Sequence, residues 1–470
     1  MVQPVPEKFL ERLRKALPGG VVAEASAAYL EEPRKYFNGK AAALLLPGST
    51  TEVAIIVELC NRYSVGIVPY AGGTGLVGGQ IRPDDPPAMV LSVERLNSVR
   101  SINPIENIMI AEAGVVLANA QASAAEHDRL FPLSLASEGT CRIGGNLATN
   151  AGGVQVLRYG NARELCLGLE AVLPDGSIYH GLHGLRKDNT GYDLRNLLIG
   201  SEGTLGIITA ASLKLYPQPG ELFTAMVSVE SPVHALDLLA KMQAQSGGLV
   251  SAFELMHQQG LAFLQEALPQ VRLPFGSTPE WSVLLEVGSA SGLAMEECIT
   301  SCLEKAIDGK LVDDVLIAQN RQQRDEFWNV RESIPEANRL IGSLSSHDIS
   351  VPVSAIPRFI AIANAAIEKL GNYRINCFGH VGDGNLHYNV FPAKGESSAG
   401  CGHAGDAIRE TVYDIVHQLG GSFSAEHGIG RLKIEALEHY GDPARLAAMR
   451  AIKKALDPNG IMNPGAVVRE

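Results

Sequence analysis

PYAGGTGLVGG, residues 69–79, decides the fold of this chain through the segment it runs into. Gly73-x-Gly75-x-x-Gly78 has the spacing of the dinucleotide fingerprint, in which the glycines make a tight turn and open a helix whose N-terminus meets a pyrophosphate. Here the next residues are QIRPDDPPAMVLSV, a proline-studded loop running into a strand. No helix opens there, so the nicotinamide-binding fold fails its context test. No Lys-Ser or Lys-Thr closes a P-loop either. A glycine loop without a helix can still bind phosphate by turning successive backbone N–H groups toward its oxygens.

Two more loops of this kind lie further along the chain. SEGTCRIGGNLATNAGG, residues 137–153, supplies Gly144 and Gly145 for close backbone approach, with Ser137, Thr140, Asn146, Thr149 and Asn150 as polar partners. LIGSEGTLGIIT, residues 198–209, offers Gly206, Ile207 and Ile208 as backbone that can pair with the edge of a planar ring. An ordinary turn explains any one of these loops. Three of them together predict a long phosphate-containing cofactor.

A second chemistry lies downstream, in FGHVGDGNLHYNV (378–390) and SAEHGIGR (424–431). Gly-Asp-Gly-Asn between the apolar runs INCFGH and LHYNV predicts a hairpin that turns His380 toward His387. His387 and Asn389 are two apart, so both point to one face of a strand, and Asn389 becomes a candidate substrate contact. His380, His387 and Glu426 make a two-imidazole, one-carboxylate metal set with positions left open, as in catalytic rather than structural centres. The plainer reading is that these histidines are hydrogen-bonded core or turn residues, which is the better one for a single unpaired histidine. The Glu426-His427 pair downstream favours a site.

Composition bounds the rest. At 470 residues the chain needs two or three cores. A net charge of −12 and no basic, aromatic-rich stripe exclude nucleic acid as a partner. No apolar run is long enough to span a bilayer. The opening MVQPVPEKFLERLRKALPGG reads as an amphipathic helix rather than a signal peptide, which gives a cytoplasmic expectation. Seven cysteines without a C-x-x-C pair suit reduced thiols, and Cys298/Cys302 and Cys401 near His403 resemble metal pairs only superficially.

Along the chain, residues 1–218 read as a sheet-rich α+β domain, with TEVAIIVELCNRYSV (51–65) as a helix packed on it. A boundary falls near Pro219. From 219 to 425, FTAMVSV, WSVLLEVG and KLVDDVLIA alternate with long helical segments, which predicts helices covering one face of an antiparallel sheet. Residues 426–470 form a C-terminal segment whose last helix is stopped by DPNGIMNPG.

PYAGGTGL, EGTCRIGGNLATNAGG, LIGSEGTLGIIT, GHVGDGNLHYNV, SAEHGIG and DPNGIMNPG, in this order, resemble the FAD-binding oxidoreductases of the vanillyl-alcohol oxidase type. Within them the likeness is to the D-2-hydroxyglutarate, D-lactate and glycolate dehydrogenase-like branch, from about residue 40 to the end. The resemblance implies a two-subdomain FAD-binding domain completed by the C-terminal segment, and a cap domain over the flavin. Gly72, Gly73, Thr74, Gly75, Leu76 and the 137–153 loop would hold the pyrophosphate. Glu202 and Gly206 to Ile208 would lie along the cofactor, with Asn463 near the isoalloxazine. Thr74 stands where covalently flavinylated relatives often carry a histidine, so noncovalent FAD is expected.

The resemblance also makes His380, His387 and Glu426 ligands of a divalent metal, commonly zinc, makes His427 the catalytic base and a substrate contact, and makes Arg331 a substrate-binding arginine. Without it, Arg331 would read as part of a solvated helix face. One departure stands out. The D-2-hydroxyglutarate branch has a Thr four residues after that arginine and a Lys in the next strand, where this chain has Pro335 and Ser346. The expected reaction is oxidation of a small anionic D-2-hydroxy acid, D-2-hydroxyglutarate or D-lactate, to the 2-oxo acid. Electrons would leave to an electron-transfer flavoprotein or a quinone, and a homodimer is compatible with this. The alternatives are a glycolate oxidase-like flavoprotein subunit and a metallohydrolase using the same ligands.

Overall fold

A computed structural model of the chain describes residues 3–290, 295–396 and 404–469; Cys401 and His403 lie outside them. The chain divides into two compact units, the first made of Met1–Gly152, Gly160–Gln218 and Glu426–Glu470, the second of Gly153–Tyr159 and Pro219–Ala425.

The first unit holds two larger sheets and a two-stranded one. Strands β1 (Val22–Ala23), β2 (Ala41–Leu45), β3 (Ile67–Tyr70) and β4 (Ala88–Ser92) form a sheet in the order β1-β2-β4-β3, with β2, β4 and β3 parallel. The helix Thr50–Tyr63 carries the chain from β2 across to β3, leaving the place between them for β4. Ser49 caps its first turn by accepting from Glu52 N, and Val53, Ile56, Val57 and Cys60 bury the face that meets the sheet.

The second sheet is antiparallel, built from β5 (Val99–Asn103), β6 (Ile108–Glu112), β8 (Cys166–Val172), β9 (Ile178–Gly181) and β10 (Ile207–Lys214) in the order β5-β6-β10-β8-β9. A short ladder joins β7 (Arg129–Leu130) to β11 (Tyr216–Pro217). The C-terminal tail returns to the first sheet: Ile67 N donates to Ile461 O and Asn463 N to Ile67 O, both at 2.8 Å, so Met462 runs parallel to β3.

The second unit is one seven-stranded antiparallel sheet: β12 (Glu221–Val229), β13 (Val250–His257), β14 (Trp281–Ser289), β15 (Asp314–Ile317), β16 (Ser345–Ser350), β17 (Tyr373–His380) and β18 (Asn385–Pro392), in the order β15-β12-β14-β13-β17-β18-β16. Helices cover both of its faces rather than the one expected. Met256, Phe378 and Phe391 pack against Leu261 and Phe263 of the helix Gln258–Ala267 and Val330 and Ile334 of the helix Arg321–Ile341. On the other face Tyr388 meets Phe359 and Asn364 of the helix Ile356–Glu368, and His347 meets Tyr413 of the helix Ala404–Gln418. The strands therefore alternate between two buried environments, which is why β13 and β14 read as nearly continuous apolar runs.

Candidate functional site

The three glycine loops meet around one cavity of about 540 Å³ in the first unit. Gly72, Gly73, Thr74, Gly75 and Leu76 contribute to its wall from the first loop, Ser137, Gly144, Gly145, Asn146 and Thr149 from the second, and Glu202, Gly206, Ile207 and Ile208 from the third. Glu426 and His427 line it as well. The glycines are required by contact: a Cβ on Gly72 would sit 2.5 Å from Thr140 O, and Gly73, at φ +70°, would meet the Tyr70 hydroxyl. Bare backbone thus faces the cavity, which fits a cofactor with phosphates to cradle.

Thr140, Asn150 and Asn463 do not belong to this wall. Thr140 Oγ1 donates to Ser137 O, and Asn150 Oδ1 accepts from Arg163 N at 3.0 Å. Asn463 is 2% exposed and its side-chain amide donates to Gly79 O at 2.9 Å and to Glu202 O at 2.8 Å. Thr140 braces its own loop, while Asn150 and Asn463 tie separate segments together, a task their sequence context did not separate from ligand contact.

Glu202, in the cavity wall, also braces a neighbouring turn. Its carboxylate accepts from Ile429 N at 2.7 Å and Gly430 N at 2.8 Å, fixing the His-Gly-Ile-Gly turn that carries His427. Burial pushes its carboxyl above the usual range, against the opposing pull of those two N–H groups and of Lys433. Within the same turn His427 Nε2 lies 3.6 Å from Glu426 Oε1.

In the second unit β17 and β18 form the expected hairpin, with Phe378 opposite His387 and the two histidine rings 5.6 Å apart at 81°. Gly384 turns the chain at φ +88°, where a Cβ would meet Val351 O at 2.3 Å. Asn389 lies opposite Asn376 on one side and Ser346 on the other, and its Oδ1 accepts from His347 N at 3.2 Å.

Arg331 is 5% exposed, not part of a solvated face. Its Nε donates to Glu254 Oε2 at 2.8 Å, and its guanidinium lies 4.9 Å from the Phe378 ring centroid. The other Glu254 oxygen, Oε1, is 2.7 Å from His380 Nδ1. Burial by itself would raise the Glu254 carboxyl, but His380 and Arg331 outweigh it and hold the group down to about 2. An ionised carboxylate only accepts, so the Nδ1 facing it carries the proton, which makes Nε2 the atom that would ligate a cation.

Glu254 was missed by sequence reasoning. Its signal was available: it is the lone carboxylate in the run VSAFELMH, whose neighbours are buried on alternate faces. Ala425, the last residue of the second unit, donates its N–H to Asp348 O of β16 at 3.3 Å, and Glu426 and His427 come directly after it. Pro335 and Ser346 are both exposed, and Ser346 is hydrogen-bonded through its hydroxyl to Ser343 at 2.7 Å. No helix among the described residues is long and apolar enough to cross a membrane.

Comparison with known proteins agrees with this architecture. The family described as FAD linked oxidases, C-terminal domain, matches residues 219–467, and the FAD binding domain family matches residues 41–181. The chain is 35% identical to the mitochondrial D-2-hydroxyglutarate dehydrogenase of Arabidopsis thaliana, over 92% of this chain and 76% of that protein. It is 33% identical to a D-2-hydroxyglutarate–pyruvate transhydrogenase of Saccharomyces cerevisiae, over 94% and 89%. A D-2-hydroxyglutarate dehydrogenase of Xanthomonas citri is 35% identical over 90% and 88%. The first of these is named as mitochondrial, so the cytoplasmic expectation gains no support from it.

Among solved structures, p-cresol methylhydroxylase superposes with a TM-score of 0.75 at 18% identity, over 99% of this chain and 98% of that one. Alkyldihydroxyacetonephosphate synthase gives 0.74 at 18% identity, over 99% and 86%. Both share the fold. With its FAD-binding domain, its antiparallel second domain and these relatives, the chain belongs to the FAD-linked oxidases of the D-2-hydroxyglutarate dehydrogenase family and is an FAD-dependent oxidoreductase.

Proposed function

We propose that the chain oxidises a D-2-hydroxy acid, D-2-hydroxyglutarate foremost, to its 2-oxo acid, with His427 as the base and Arg331 as the substrate clamp. The carrying observation is the buried cluster in which one carboxylate, Glu254, holds both Arg331 and His380. It brings a cation fork and an imidazole together, a combination suited to a 2-hydroxy carboxylate. The relatives' names supply the acid.

His380, His387 and Glu426 would hold a divalent cation, zinc by their donor types. When both are bound, the cation would supply Lewis acidity toward the substrate hydroxyl and FAD the two-electron acceptor. Arg331 engages Glu254 through Nε, so its terminal nitrogens are oriented to grip a carboxylate in two bonds and fix the position of C2. Asn389 donates to the same substrate from β18. His427 takes the hydroxyl proton, a task for which an imidazole is well matched near neutral pH. Gly72 to Leu76 and Gly144 to Thr149 would hold the FAD phosphates with N–H groups and small polar side chains. Thr74 offers no nucleophilic ring nitrogen, so acid precipitation should release all flavin into the supernatant.

Pro335 and Ser346 support a second reading within the same chemistry. Neither is cationic, and their exposure argues for a short acid such as D-lactate. Anaerobic bleaching of the flavin across a panel of D- and L-2-hydroxy acids decides between them. Bleaching by D-2-hydroxyglutarate at the lowest concentration supports the first reading; bleaching by D-lactate alone supports the second; none by any D-acid sinks both. Membership in the oxidase family leaves the metallohydrolase without support. The glycolate oxidase-like subunit predicts no bleaching by the isolated chain. Candidate oxidants are an electron-transfer flavoprotein, a quinone and, in line with the yeast relative's name, pyruvate.

A further inference from the structure

Glu254 touches none of the reacting groups in the chemistry just described, yet it sits at 0% exposure on β13 with one oxygen on Arg331 and the other on His380. Burying a carboxylate is costly unless every lone pair is used, and neutralising Arg331 would need only one of its oxygens. The second oxygen is spent on the imidazole. β13 pairs with β17 so that Glu254 stands directly opposite His380, and the helix Arg321–Ile341 lowers Arg331 onto the same point above Phe378.

We propose that Glu254 is the positioning residue of the site: it sets the tautomer of His380, keeping Nε2 as the ligand atom, and it aims the terminal nitrogens of Arg331. The proposal rests on the reading of His380 as a metal ligand and Arg331 as a substrate clamp. Carboxylate partners of ligating histidines typically govern metal affinity by about 10- to 100-fold.

Glu254→Gln weakens both tasks in one isostere, because it removes the charge together with one acceptor. A carboxamide has one accepting oxygen, so it can satisfy Arg331 Nε–H or His380 Nδ1–H but not both. In the FAD-loaded protein the variant should bind zinc about 10- to 100-fold more weakly in a chelator competition. It should also raise KM for D-2-hydroxyglutarate and keep wild-type flavin content. Wild-type zinc affinity together with wild-type KM would overturn the proposal.

Because one partner of a buried pair is lost, the variant's folding is checked by a second one, Glu254→Met with Arg331→Met, which removes both charges together. If Glu254 merely neutralised Arg331, this double variant would keep wild-type zinc affinity, and the histidine role falls. The proposal requires the zinc loss to persist. A wild-type protein that binds no zinc overturns the metal reading and the histidine role with it; an elevated KM in Glu254→Gln would then still uphold the arginine role, and an unchanged KM would end it.

Discussion

At the residue scale the two decisive side chains act by different means. His427 sits on a turn whose next N–H groups are tied to Glu202, so the backbone that carries it is anchored independently of the imidazole. His427→Ala should therefore leave FAD bound and the fold intact while slowing anaerobic flavin reduction by roughly 10²- to 10⁴-fold, the usual contribution of a general base. Near-wild-type reduction in stopped-flow would remove the base assignment. Arg331 works through a planar fork that lysine lacks. Arg331→Lys should raise KM by about 30-fold, equivalent to the ~2 kcal/mol of one charged hydrogen bond, with little change in flavin content. Steady-state kinetics on holoenzyme test it. Both residues were named from the resemblance in SAEHGIG and WNVRESIPEANR; the burial of Arg331 was not legible, because polar residues at helical spacing look the same whether they face water or a buried carboxylate.

At the element scale the β17–β18 hairpin was readable because Gly-Asp-Gly-Asn is a turn and the flanking runs alternate. Gly384 is the point that register depends on. Gly384→Ala places a Cβ against Val351 O in a left-handed backbone, which should cost about 1–3 kcal/mol. A lower urea midpoint together with weaker zinc binding is expected; an unchanged midpoint would argue against strain at this turn.

The end of β13 carries a pH device of another kind. His257 caps the helix Gln258–Ala267 by accepting from Gln259 N at 3.3 Å, and burial lowers its ring to about 4, against a small opposing contribution from a backbone bond to Ile375. A depressed histidine favours folding when neutral. Its contribution is complete above the unfolded value of about 6.5 and is lost as pH falls toward 4. Between pH 7 and pH 4 the wild type should lose about 2 kcal/mol more stability than His257→Asn, allowing for its partial exposure, as read from urea midpoints. Equal losses would show that His257 does not titrate within the folded state.

At the scale of the whole molecule, the first unit is assembled from three separated stretches, and its last stretch is locked by one ammonium. Lys453 Nζ, buried, donates to Asp457, to Thr204 O at 3.0 Å and to Met462 O at 2.7 Å. Lys453→Met leaves Asp457 buried with only the N–H groups of Ile461 and Met462, which should cost about 3–5 kcal/mol and loosen FAD retention. Gel filtration of the loaded variant, reading flavin that stays with protein, checks the second effect; full retention would separate the tail from the cofactor.

By itself the sequence determined the glycine loops, the hairpin, the change of pattern near Pro219 and the family, because each is written in residues close together along the chain and governed by local backbone chemistry. Only the tertiary structure decided that helices cover both faces of the second sheet and that Asn463 and Glu202 brace loops. Only it decided that Glu254 joins Arg331 to His380. The physical reason is that a carboxylate, an arginine and a histidine separated by 77 and 126 residues become one cluster only through strand pairing and helix packing, and charge says nothing about partners until burial forces it to find them.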